Sequence, residues 1–430
     1  MAYASAESSE KGSRLLPDLT ELLKKEAHVT LLFDDHPAGK CLLAVGAKRS
    51  FIWNHNDSEA LQALDHFLHP NGKACWAFGW MGYELKNGIE NLHSKRLNLS
   101  QLPSLHWVEP RVVIEWGGQH PLPRIVFGKD ESDAQEILSV ASSTTAHVPA
   151  APGLKLKPRW DRSTYLQRAH RVKKHIQRGD IYEMNLCQEW GGEADLKDPW
   201  DVFVRLQHLT QAPYSGFIQA GQFHILCGSP ELFLSREGNI LTSSPIKGTI
   251  RRGQNEDEDN ALARQLKSDP KERGENVMIC DLVRNDLSRV ALPGTVHVPE
   301  LFGIHRFRTV HQMISTVQCE IPASCRPEAI IRATFPMGSM TGAPKVRAME
   351  IIDDLEGSQR GVYSGSLGAF RPNGDFDLNV IIRSMVYNAS IKHLSLHVGG
   401  AITALSDPEK EYEECLLKAD ALLKTLSADA

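Results

Sequence analysis

Short apolar runs of β character, divided by turn residues, recur along most of this 430-residue chain and commit it to a strand-rich architecture. They include residues 29–33, 41–45, 110–116 and 123–127, with the turn Asp34-Asp35-His36-Pro37 dividing the first two. Residues 217–222 and 223–227 read as a hairpin around Gly221, followed by runs at 228–234, 239–242, 363–370, 376–387 and 394–401. Residues 76–84 interleave aromatic rings with glycine, a pattern for sheet core in which small residues let the rings pack. The periodicity gives strand content, but it does not give the pairing.

Helical patterns are fewer. Residues 58–68 place Leu61, Leu64 and Leu68 on one face. Ser163 is positioned to cap a helix with Tyr165, Ala169, Val172 and Ile176 on its apolar side, ending at Gly179. Further helices are expected at 260–267, from Pro270 onward, and at 346–355. The last helix follows a Ser406 or Asp407 cap, takes Pro408 in its first turn, and carries the stripe Tyr412, Cys415, Leu416, Ala419, Leu422, Leu423 and Leu426. Residues 141–159, rich in Ala, Ser, Thr and Pro, read as a surface connection between an N-terminal region, 1–140, and a larger region, 160–430.

Composition removes several classes of function. A net charge of −5 offers no basic footprint for nucleic acid. No apolar window reaches the ~18 residues of a membrane span. Residues 1–7 lack a basic segment followed by an apolar one, so no secretory signal is expected. The eight cysteines include no CxxC pair, which leaves neither a zinc knuckle nor a disulfide framework, and a reducing cytoplasm is the expected setting.

The residues that carry chemistry are concentrated after residue 180. Lys247 lies in Ser244-Pro245-Ile246-Lys247-Gly248-Thr249. Burial there would lower the ammonium pKa and free a nucleophilic lone pair. An exposed turn lysine is the plainer alternative. Glu231, sixteen residues earlier beside an apolar run, becomes a general acid if buried and a solvated strand-edge carboxylate if not. Glu272 and Glu275 share one helix face, as do Glu411 and Glu414, with Lys418 following. Hard carboxylate oxygens without nearby His or Cys suit Mg2+ rather than zinc. The Gly-rich run from Gly338 to Pro344 opens a helix, where backbone N–H groups suit an anion, although the P-loop spacing is absent. Arg383, read as lying inside a strand, calls for an anionic partner. Asn185 is either hydrogen-bonded within a sheet or aimed at a ligand. His311 is read as structural.

Six motifs in order carry a resemblance: SPELF, PIKGT, KERGEN-x4-DLVRNDLSRV, GSMTGAPK, Arg383 and DPEKEYEE-x3-KA. Together they resemble the chorismate-binding enzymes, a family that includes anthranilate synthase component I, aminodeoxychorismate synthase component I, and the isochorismate and salicylate synthases. The match runs from about 160 to 425. It implies an α+β sandwich of two large antiparallel sheets with helices outside, to which both halves of the chain contribute. It implies that Glu272, Glu275, Glu411 and Glu414 surround Mg2+, which holds the ring carboxylate of chorismate. Glu231 matches the general acid for the departing C4 hydroxyl. Tyr363, Arg383, Gly399, Gly400 and Lys418 match carboxylate-binding positions, and Asn185, Thr249, Ser339, Thr341 and Gly342 fall in the substrate-binding motifs. Anthranilate and isochorismate synthases have alanine at the position of Lys247. Lysine there resembles the aminodeoxychorismate-forming branch, in which it attacks C2 and ammonia then adds at C4.

The chain also departs from its relatives. Glu183 stands where many have Gln, Gln312 where anthranilate synthases have His, and Ala401 where a second glycine is usual. No nucleophile elbow of a glutamine-hydrolysing domain is visible, so the resemblance implies a separate glutamine amidotransferase subunit as the ammonia source. Two rivals stay open: anthranilate synthase component I, and a non-catalytic ligand- or cation-binding domain.

Overall fold

Tight hairpins and longer returns join the strands into two sheets in which every pairing among the described residues is antiparallel. The computed structural model describes residues 16–427 apart from 35–38, 56, 119, 145–146 and 308–309. The expectations for residues 1–15, for most of the turn at 34–37 and for part of the connection at 141–159 lie outside the described residues.

Among the described residues one sheet has eleven strands and the other ten. The larger sheet begins at Gly342–Ala343, Glu183–Glu193 and His393–Thr403 and ends at Val112–Gly117 and His120–Phe127. The smaller sheet begins at Ile246–Arg251 and Val310–Glu320 and ends at Leu105–Glu109 and Arg49–Trp53. Strands from the first 130 residues therefore enter both sheets, as do strands from the rest of the chain.

The inner faces meet in a layer that includes Leu32, Leu42, Phe78, Trp80, Ile218, Ile225, Leu367 and Ile381, all buried. The aromatic stretch behaves as its pattern predicts: Trp76 stacks on Phe78 two residues on, with centroids 5.7 Å apart, and Trp80 fills the layer between the sheets. Helices cover both outer faces. Arg162–Gln177, Pro199–Thr210, Lys345–Leu355 and Pro408–Leu426 lie on the larger sheet, and Ala60–Leu68, Pro270–Ser288 and Pro327–Thr334 on the smaller. This is the expected α+β sandwich. No helix among the described residues is long and apolar enough to cross a membrane. All eight cysteines are free.

Two local expectations are corrected. Asp161, not Ser163, caps the helix Arg162–Gln177: its carboxylate accepts from Thr164 N at 2.8 Å, and Ser163 Oγ donates to the same oxygen at 3.0 Å. The ionised acceptor sits three residues before its donor, as a cap must, and Ser163 is already inside the first turn. The expected strand 376–387 is two strands. Phe376–Asn379 belongs to the smaller sheet and Ser384–Asn388 to the larger, so the chain crosses between sheets at 380–383. Arg383 lies at that corner with φ +50°, not inside a strand. The apolar residues on either side of Arg383 hid the break, because both strands are largely buried.

Candidate active site

The site forms where one edge of each sheet comes together. Ile246–Arg251 is the end strand of the smaller sheet, and Glu183–Glu193 lies one strand in from the end of the larger. Pairing to Val310–Glu320 slips between Ile246 and Thr249, putting one extra residue on the Lys247 side. Such a bulge re-aims a side chain. Lys247 is thus a strand residue turned into the interior, not a turn lysine facing water. Its Nζ donates to Glu183 Oε1 at 2.7 Å, and the two side chains are only 10 % and 2 % exposed. Burial alone would lower the Lys247 pKa, but the Glu183 and Glu275 carboxylates outweigh it and hold the ammonium above its ordinary value. This reverses the direction expected from burial, because nothing in the sequence brought Glu183 or Glu275 to the amine.

Glu231 stands just before the strand Leu232–Glu237, 5 % exposed. Its backbone N–H donates to Ser229 Oγ at 3.2 Å, and Oε1 accepts from Ser339 Oγ at 2.7 Å. Burial pushes its pKa up to about 7, against the opposing pull of the Ser339 hydrogen bond and the Lys247 charge. A carboxyl so placed keeps its proton near neutral pH, as a general acid needs. Arg383 is the cation beyond it. Among the described residues its guanidinium has no hydrogen-bonding partner, and Glu231 is the charge acting on it. A guanidinium left unpaired next to a neutral acid is suited to a carboxylate brought by a ligand.

The run 338–342 supplies the floor. Ser339 Oγ serves Glu231, and its carbonyl accepts from Asn185 Nδ2 at 3.2 Å. Thr341 Oγ1 donates to the carbonyls of Met337 and Gly338, so this hydroxyl locks the turn. Gly342 has φ +153°, and a Cβ there would stand 2.2 Å from the Glu183 carbonyl; only glycine lets this run lie against the Glu183 strand. Lys345, which ends the motif, turns away from any ligand: Nζ donates to Asp286 and to the Thr334 carbonyl, pinning two helices.

A buried arginine that the sequence reading missed ties this floor together. Arg360 pairs with both oxygens of Glu356 and donates to the carbonyls of Met340 and Asn185, while Glu356 accepts from Cys187 N. Tyr363 stacks on His397, centroids 5.2 Å apart, with its hydroxyl 3.8 Å from Cys187 Sγ. The local Glu356–Arg360 pair reads in sequence as an ordinary exposed ion pair; the Met340 and Asn185 carbonyls that bury it come from other elements.

The acidic pairs lie towards the N-terminal ends of two helices built alike. Asp269 and Asp407 are the caps and Pro270 and Pro408 the first residues; Glu272 and Glu411 sit in the first turn, where the dipole favours negative charge, and Glu275 and Glu414 one turn further in. Lys271 Nζ lies 3.8 Å from Glu275 and 3.6 Å from Glu411. Burial and like charge raise the pKa of Glu272 and take Glu275 up to about 7. Glu275 Oε1 is buried with no hydrogen-bond partner among the described residues. Among those residues no three acidic, histidine or cysteine side chains converge as a finished metal site. Even so, hard oxygen donors, a buried carboxylate oxygen without a donor and mutual repulsion fit a divalent cation better than they fit a solvated acidic face.

The remaining candidates divide. Lys418 Nζ donates to the Gly399 carbonyl at 2.9 Å and pairs with Glu414 at 2.8 Å. Gly400 faces Glu411, whose Oε2 would be 3.4 Å from a Cβ. Thr249 is solvent-exposed, apart from the buried groups. His311 is structural, as expected: it is fully buried with Nε2 2.8 Å from Asp259 Oδ1. Gln312 is buried with Oε1 lacking a partner among the described residues. A Cβ on Gly399 would meet Cys187 Sγ at 2.5 Å, the Leu186 carbonyl at 2.6 Å and Asn185 Oδ1 at 2.8 Å. Gly399→Ala should therefore force the two strands apart and lower stability by about 1–3 kcal/mol, read as a fall in the urea midpoint at unchanged slope.

The arrangement joins an acid that keeps its proton, a buried amine and a free guanidinium on an acid-rich rim, as in enzymes that act on small carboxylate substrates. The chain belongs to the chorismate-binding enzyme family, whose model matches residues 26–424. It is 44 % identical over 265 residues to a probable chloroplastic aminodeoxychorismate synthase of Oryza sativa, covering 61 % of this chain and 29 % of that protein. It is 38 % identical over 393 residues to the aminodeoxychorismate synthase of Streptomyces griseus, covering 87 % of this chain and 53 % of that protein. The chain thus spans about a third to a half of the length of these relatives. Anthranilate synthase component I of Streptococcus pneumoniae shares the fold, with TM-score 0.77, 24 % identity, and coverage of 90 % of this chain and 92 % of that one.

Proposed function

We propose that this chain carries the chorismate-aminating activity of an aminodeoxychorismate synthase component I, forming 4-amino-4-deoxychorismate from chorismate and ammonia for p-aminobenzoate and folate synthesis in the cytoplasm. The observation that carries the reading is Lys247, turned inward by a bulge and within electrostatic reach of the protonated Glu231. Lys247 first gives up its extra proton to solvent, and the free amine then adds at C2 of chorismate as both ring double bonds shift and the C4–O bond breaks. Glu231 gives its proton to the departing hydroxyl, which leaves as water. Ammonia then adds at C4, both double bonds shift back, the C2–N bond breaks to return Lys247 as the amine, and the proton shed by the new C4 ammonium restores Glu231. Arg383, Lys418 and the Gly399–Gly400 backbone hold the substrate carboxylates. Tyr363, Asn185, Ser339, Thr341 and Gly342 shape the pocket.

Glu272, Glu275, Glu411 and Glu414 would hold Mg2+. A bound Mg2+ neutralises the ring carboxylate and so makes the ring more susceptible to attack. A separate glutamine amidotransferase subunit would supply ammonia.

Purified protein given chorismate, Mg2+ and ammonium should yield 4-amino-4-deoxychorismate on chromatography, and excess EDTA should reduce turnover at least tenfold until Mg2+ is restored. Anthranilate with pyruvate would replace this reading by the anthranilate synthase one. Chorismate left untouched would point to a binding domain.

A further inference from the structure

Glu183 takes a charge into an apolar part of the larger sheet. It is 1 % exposed and begins the strand Glu183–Glu193. Its backbone is fixed from both sides, opposite Thr403 on one neighbour and Ala343 on the other. Lys247, by contrast, sits on a bulge of an end strand, and its amine is carried on four rotatable bonds. Among the described residues Glu183 Oε1 is the one acceptor for Lys247 Nζ, and Glu183 Oε2 has no partner. The rigid member of the pair is therefore the carboxylate, and the mobile member is the amine.

We infer that Glu183 is a positioning residue for the amination: from its fixed place in the larger sheet it holds the Lys247 amine, carried by the smaller sheet, in one place in the site. The inference rests on the lysine reading above. It goes beyond that reading by giving a role to a residue that the family comparison marks only as a departure. Misplacing a reacting group by about 1 Å costs on the order of 100-fold in rate, while binding groups elsewhere are untouched.

The test is a double-mutant cycle on turnover of chorismate with ammonium, using the whole chain. Glu183→Ala should lower kcat by about 10- to 100-fold and leave KM for chorismate within about threefold, because Arg383 and Lys418 are unaltered. Glu183→Gln keeps an acceptor oxygen in the same place and should lose less than the alanine variant. In a Lys247→Ala background, with enzyme raised until turnover is measurable, Glu183→Ala should cost less than about twofold. Melting temperature and calorimetric chorismate binding accompany each variant. If Glu183→Ala does not fold, the loss in Glu183→Gln must likewise vanish without Lys247. Losses that multiply, a Glu183→Ala protein as fast as the unaltered one, or a rise in KM with kcat unchanged would overturn the inference and leave the lysine reading standing. Full turnover by Lys247→Ala alone would overturn both.

Discussion

Lys247→Ala is expected to reduce 4-amino-4-deoxychorismate formation by about three orders of magnitude or more, while chorismate still binds within a few fold. The amine is asked to open a covalent route, so its loss should appear in kcat. The groups suited to the substrate carboxylates, Arg383 and Lys418, lie on other elements. A stability effect has to be separated from this. Removing Lys247 leaves Glu183, with its side chain 2 % exposed, without its cation. Breaking a buried pair in that way costs about 3–5 kcal/mol. Two companions separate the effects. Lys247→Ala combined with Glu183→Gln removes the stranded charge and should recover most of the lost stability but none of the turnover. Lys247→Arg keeps a cation for Glu183, but a guanidinium stays protonated and offers no nucleophilic lone pair, so it should be stable and nearly inactive. Turnover by product chromatography, binding by calorimetry and urea melts read the three quantities separately. A well-folded Lys247→Arg protein with full output would rule out the covalent role.

The parts of this molecule legible in its sequence were those set by local pattern. The final helix, the helix start at Pro270 and the hairpin at Gly221 each follow from a cap, a proline or a turn glycine a few residues away, and the structure has all three. Motif spacing gathered the site residues into one list, but it could not show how they are coupled. Arg383 looked like a strand arginine because apolar residues lie on either side of it. In fact the chain changes sheets there, and the corner frees the guanidinium. Glu183 stood out in the sequence only as a departure from the Gln of many relatives, and its meaning depends on Lys247, which arrives from the opposite sheet. Arg360 was silent for a related reason: beside its local partner Glu356, the carbonyls it holds are brought together only by tertiary folding. The direction of the Lys247 shift failed likewise, since burial is a local inference and the countercharge is not.

Glu231→Gln should lower kcat/KM by about 10²–10⁴-fold and remove the break near pH 7 from the pH profile. The amide oxygen can still accept from Ser339 Oγ, so the geometry survives and only the transferable proton is lost. With its pKa near 7, the unaltered protein holds the acid form below that value and loses it above, while the free Lys247 amine, held above its ordinary pKa, grows in fraction throughout, so the rate should rise with pH up to about 7 and level off beyond it. The same shift has a stability consequence of definite sign. The folded-state pKa is raised from the ordinary 4.5 to about 7, so the favourable contribution of the protonated form is complete below about 4.5 and lost as pH rises through about 7. The difference corresponds to about 3 kcal/mol. Glu275 is shifted to about 7 as well, chiefly by burial. It remains in the Gln variant, and its own contribution cancels in the comparison of the two proteins. The gap in stability between Glu231→Gln and the unaltered chain should therefore move by about 3 kcal/mol in favour of the variant between pH 4.5 and 8. Urea melts at the two pH values measure that gap. A gap that stays constant would show that Glu231 is ionised in the folded protein, and the proton for the departing hydroxyl would have to come from another group.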